Sequence, residues 1–110
     1  MYVWRDKMTD INDTLKERGK SYGEFEFQAT ISQQLKNVLR AQEKWEHLAD
    51  DQKEALEMVV HKIARILNGD VNFRDSWYDQ LGYLQLVVNR MDRDADFLKE
   101  DIKITDDIPY

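Results

Sequence analysis

Four residues of the segment Asp51–Leu67 fall on one narrow stripe when the chain is wound at 100° per residue: Glu54, Glu57, His61 and Arg65. Glu57 and His61 lie four apart, a spacing at which a carboxylate and an imidazole can share a divalent ion. The same spacing also makes an ordinary solvated helix face, stitched by i, i+4 pairs worth a few tenths of a kcal/mol each. A second acidic pair, Asp75 and Asp79, shares a stripe further along the chain, and Gly82 and Leu86 continue it. These acids also have a structural reading, with Asp75 as a helix N-cap and Asp79 paired to Lys62 or Arg65. Glycine inside a helix costs about 1 kcal/mol relative to alanine, so Gly82 implies a close neighbour, either backbone or ligand.

Other constellations are absent. Gly19-Lys20-Ser21 has the ending of a phosphate-binding P-loop, but Thr14 stands where that motif needs glycine, and a helix rather than a strand precedes it. The segment reads as a helix C-cap and turn with Tyr22 packed beneath it, and Lys20 is retained as a candidate phosphate contact. The chain has no cysteine, which removes thiolate chemistry and disulfides and points to a reducing compartment. His47, beside Trp45, reads as a packing or capping residue.

The elements that position these residues are helices. The first is expected from Thr9 to about Arg18, with Gly19 as its C′ glycine. A second runs from roughly Glu24 to Gln42, with Phe27, Ile31, Leu35 and Val38 on one stripe. The third starts with Asp51 and Glu54 at capping-box spacing and ends at Asn68-Gly69. The fourth is capped by Asp75 and reaches about Met91, with Trp77, Leu81, Leu84, Val88 and Met91 as its main apolar face. The reading is all-α: a compact bundle of about four helices over residues 1–91, followed by an acidic, partly extended C-terminal tail, 92–110. Ile102 and Ile104 alternate in that tail.

The 110 residues suit one domain. The net charge is −6; residues 92–110 hold seven acids against three bases, a net of −4, which leaves −2 for residues 1–91. A nearly balanced body with an acidic tail argues against direct nucleic-acid binding, which needs a basic footprint. No apolar run approaches the roughly 20 residues of a membrane span, and Met1–Lys7 lacks the apolar core of a signal peptide, so a cytoplasmic protein is expected.

Three segments together carry a resemblance: Glu17-Arg18-Gly19-Lys20-Ser21-Tyr22-Gly23-Glu24-Phe25, then Ala55 to Leu67, then Asp75-Ser76-Trp77-Tyr78-Asp79-Gln80-Leu81-Gly82-Tyr83. They resemble a family of small tailed-phage proteins of unknown function over roughly Ile11 to Met91, which implies a phage or prophage source and the host cytoplasm. More distantly, the pattern is similar to the all-α nucleoside triphosphate pyrophosphohydrolases of the MazG type. Those enzymes place Glu-Glu-x-x-Glu on one helix and Glu-x-x-Asp on the next to hold magnesium against a triphosphate.

The resemblance implies Glu54, Glu57, Asp75 and Asp79 as metal ligands for Mg²⁺, with Lys62, Arg65 and Lys20 on phosphate and His61 and Tyr83 nearby. Two positions depart from the pattern: Lys53 replaces the first glutamate and Ser76 stands at the expected glutamate of the second motif. The resemblance also implies a homo-oligomer, in keeping with a fourth helix that is apolar on two sides. Two functions are therefore expected: nucleotide binding or hydrolysis, or a non-enzymatic protein that binds a host factor or counters a host defence.

Overall fold

The computed structural model describes residues 3–102, and the side chains of residues 10–99. It is all-α: α1 (Val3–Tyr22), α2 (Phe25–Arg40), a 3-10 turn (Glu43–His47), α3 (Asp50–Asn68) and α4 (Arg74–Ile102). α3 is central, with α2 against one face and α4 against the opposite face, all in antiparallel sequence. The order follows from pairs whose residue numbers run in opposite directions. Arg40 meets Glu57 across α2 and α3, while Lys62 meets Asp79 and Asp51 meets Arg90 across α3 and α4.

Several boundaries move relative to the sequence reading. α1 does not end at Gly19 but runs to Tyr22, and the left-handed glycine is Gly23, with φ +77°. A Cβ there would collide with the Asn68 carbonyl, and one on Gly69 would collide with the Ser21 carbonyl and Tyr22 backbone. These two glycines let the α1–α2 turn lie directly on the α3–α4 turn. Asn68 Nδ2 locks the contact, donating to the carbonyls of Tyr22 (3.0 Å) and Glu24 (2.8 Å), while the Asp70 amide donates to Ser21 O (2.7 Å). Tyr22 does pack beneath this turn, edge-on to Phe73 at 5.4 Å.

The third helix starts earlier than the Asp51–Glu54 pair suggested. Ala49 is its N-cap, and Gln52 Oε1 accepts from the Ala49 amide at 2.9 Å. An alanine has no side-chain acceptor, so only this returning half of a capping box exists. Asp51 is instead engaged by Arg90, whose Nε and Nη2 donate to its two oxygens at 2.9 and 2.7 Å. That bidentate contact holds the Asp51 carboxyl below its ordinary value and raises Arg90 further. Asp75 likewise lies inside the first turn of α4 rather than at its cap, where a carboxylate favours the positive end of the helix dipole.

α4 does not stop near Met91. It continues to Ile102, so Asp92, Asp94 and Asp96 sit on a helix, not in an extended arm. Residues 103–110, including Ile104 of the expected alternation, lie outside the described residues.

The core is thin. Its buried apolar residues are Trp45, Ala55, Val60, Ala64 and Ile66, and among the described residues no large side chain is fully enclosed. The radius of gyration is 19.8 Å and the extents are 65 × 32 × 27 Å. A closed domain of this size would have a radius near 13 Å. α1 is anchored through its last turn, and residues 10–20 are exposed. Among the described residues no helix is long and apolar enough to cross a membrane.

Candidate functional site

The layer α2–α3–α4 has two unlike sides. On one side, α2 and α3 meet along a ladder of polar side chains. Arg40 donates to Glu57 Oε1 at 3.0 Å. One turn along, Lys36 lies close enough to His61 for its charge to be felt. These two contacts run α2 and α3 antiparallel, so Ser32 lies one turn beyond Lys36 on α2 and Arg65 one turn beyond His61 on α3. Ser32 Oγ and Arg65 Nε are the two buried side-chain atoms without a hydrogen-bond partner among the described residues. An unpartnered buried donor costs on the order of 1–3 kcal/mol.

The cations dominate here. Burial first, then the charges of Arg65, Lys36 and Lys62, hold the His61 imidazole below its ordinary value and keep it neutral near pH 7. Arg65 lies flat over the Tyr22 ring, its guanidinium carbon 4.3 Å from the centroid. That stacking fixes the guanidinium at the end of the stripe, beside the locked turns. Lys36 was missed in the sequence because it lies on another helix from the stripe it completes. Its only sequence signal is the Lys36–Arg40 pair, four apart and opposite the Phe27–Val38 stripe.

The acids expected to hold a metal are divided rather than gathered. Glu57 is bound to Arg40, and Asp79 accepts from Lys62 Nζ at 2.8 Å. Glu54 and Asp75 are exposed on different helices. Among the described residues no three histidine or acidic side chains group as a metal ligand set. The Lys62–Asp79 pair is the structural alternative read from the sequence.

The remaining candidates are spread out. Lys20 lies within α1, exposed and paired to Glu17 at 3.0 Å. Tyr83 is half-buried on α4 and lines a shallow groove with Tyr78, Gly82 and Leu86. The close neighbour expected at Gly82 is not found among the described residues: a Cβ there meets nothing within 4 Å. His47 is exposed in the 3-10 turn, whereas Trp45 beside it is buried.

The other side of the layer is apolar. Leu56, Ile63 and Leu67 form a stripe of α3 that begins at Gln52, and Gln52 Nε2 contacts Met91 Sδ of α4 at 3.7 Å. This joins the stripe to the face of α4 that carries Trp77, Leu81, Leu84 and Val88. Trp77, Leu81, Leu84, Val88 and Met91, the main apolar face expected of α4, are all exposed. The face that meets α3 lies a quarter turn away, where Ser76 is buried and Gln80, Tyr83, Val87 and Arg90 are half-buried. The ion pairs explain the choice: Asp79 and Arg90 must face α3 to reach Lys62 and Asp51, and small Ser76 lets the helices approach.

Comparison with family models, curated proteins and solved structures finds no match for this chain.

Proposed function

We propose that this protein binds a phosphate-bearing small molecule, a nucleotide or a related compound, on the polar side where α2 and α3 meet. The observation that supports this most is the unpartnered buried Arg65 Nε on a helix face where Arg65 and Lys36 both act on a neutral His61. A phosphate oxygen would give Arg65 the acceptor its Nε lacks. Lys36 would add charge, and the rest of the anion would lie over His61; Lys62 stays paired with Asp79 between α3 and α4.

The resemblance to phage proteins and to MazG-type enzymes is in keeping with a cytoplasmic phosphate ligand. Magnesium enters this reading as an ion carried by the phosphate; no hydrolytic step is assigned. A second reading, a non-enzymatic partner of a host protein, draws support from the exposed apolar residues Ile11 and Leu15 of α1 and Phe97 of α4.

The test is thermal unfolding of the full chain with pyrophosphate and nucleoside di- and triphosphates, with and without Mg²⁺. Ligand at 100 times Kd adds about 2.7 kcal/mol, several degrees for a domain of this size. The shift is expected to vanish in Lys36→Gln, whose exchange leaves the helices intact. No shift with any phosphate compound would reject the reading.

A further inference from the structure

The apolar side of the layer is a second site, independent of the phosphate reading. Along α4, Trp77, Leu81, Leu84, Val88, Met91 and Leu98 recur at alternating steps of four and three, with Ala95 completing the series. That is a 3.5-residue repeat, the pattern of a left-handed coiled-coil seam. These six side chains are 41–62% exposed, because α4 turns a different face toward α3. The seam continues sideways into Leu67 of α3 (63% exposed). Phe27 and Val38 of α2 are exposed as well, on the face of that helix opposite Lys36 and Arg40.

We infer that this face is the interface between two copies of the chain, paired through α4 about a two-fold axis, with the helices antiparallel. Three observations choose a second copy as the occupant. The first is area: the six α4 seam side chains, each about half exposed, offer on the order of 500–600 Å² of apolar surface before the polar residues flanking them are counted. A stable interface needs about 800 Å² per partner, polar rim included. The second is the pattern itself, since a heptad seam without charged residues at its core positions is self-complementary, as a two-fold interface requires. The third is the deficit inside the chain. Five buried apolar residues and a radius of 19.8 Å leave half of a bundle unbuilt, and a second copy supplies it.

Charge sets the direction. Parallel α4 helices would place their acidic ends side by side, each with five acids against two bases over residues 92–102. An antiparallel pair separates them. Trp77 then lies toward the partner's Leu98, and Val88, near the middle of the seam, lies opposite its own copy.

Sedimentation velocity at tens of micromolar is the test, with circular dichroism as the control for folding. Wild type is expected as a dimer, and the double substitution Leu81→Glu, Val88→Glu as a helical monomer, since neither side chain is enclosed within one chain. A wild-type monomer, or a dimer that survives the double substitution, would overturn the inference. Because the chain has no cysteine, single replacements read the direction. Under mild oxidation Val88→Cys is expected to form a disulfide-linked dimer and Leu81→Cys is not. Self-linkage through Leu81→Cys would overturn the antiparallel arrangement.

Discussion

Lys62 Nζ lies 2.8 Å from Asp79 Oδ2, and the two side chains are 9% and 44% exposed. The lysine is thus enclosed between α3 and α4 while its partner stands at the rim. Asp79 is a fastener between helices before it is anything else. Removing the carboxylate leaves a buried ammonium with no counter-charge, whereas removing the lysine frees only an acid that water can reach.

Asp79→Asn is therefore expected to destabilise the fold by about 1–3 kcal/mol, and Lys62→Met to stay within about 1 kcal/mol of wild type. Urea unfolding of both variants measures the asymmetry. Equal losses would mean that the pair is not the contact holding α4 in place.

The two kinds of glycine separate cleanly. Gly23→Ala forces an alanine to φ +77° against the Asn68 carbonyl, so a loss of about 2 kcal/mol or more is expected. Gly82→Ala places a methyl group in open space within a helix and should stabilise by about 1 kcal/mol. A destabilised Gly82→Ala would show that another molecule packs on that groove.

His61 gives a pH dependence whose sign is fixed by the direction of its shift. The folded-state value lies below the unfolded value of 6.5, so near that pH the unfolded chain binds more protons than the native one. The contribution of His61 to stability is complete above about pH 6.5 and is lost as pH falls toward the folded-state value. His61→Gln is expected to flatten this part of the profile between about pH 8 and pH 5, read from urea midpoints. A wild-type profile unchanged by the substitution would contradict the placement of His61 among Lys36, Arg65 and Lys62.

Helix type and number were legible because the apolar periods of α2, α3 and α4 are strong and nothing breaks them. Helix ends were less so. Gly19 and Gly23 are equal as letters, and the choice falls on Gly23 through contact with Asn68, which is 45 residues away. The inward face of α4 is hidden for a related reason: periodicity marks its apolar stripe, but ion pairs to Asp51 and Lys62 turn the polar stripe toward α3. Of the candidate site, the stripe Glu54–Glu57–His61–Arg65 followed from spacing alone. Its cationic character did not, since Lys36 and Arg40 come from α2 and the register between the helices is a tertiary fact.

The central claim is that a phosphate compound binds beside His61, and the imidazole itself reports on it. The chain has two histidines, so NMR titration of His61, with His47 as an internal control, can be run with and without pyrophosphate. An anion bound among Lys36, Arg65 and His61 favours the charged imidazolium, so the His61 pKa is expected to rise on addition of pyrophosphate while His47 stays fixed. A His61 pKa that is unchanged at saturating pyrophosphate and nucleotide, or that moves only in step with His47, would contradict the account.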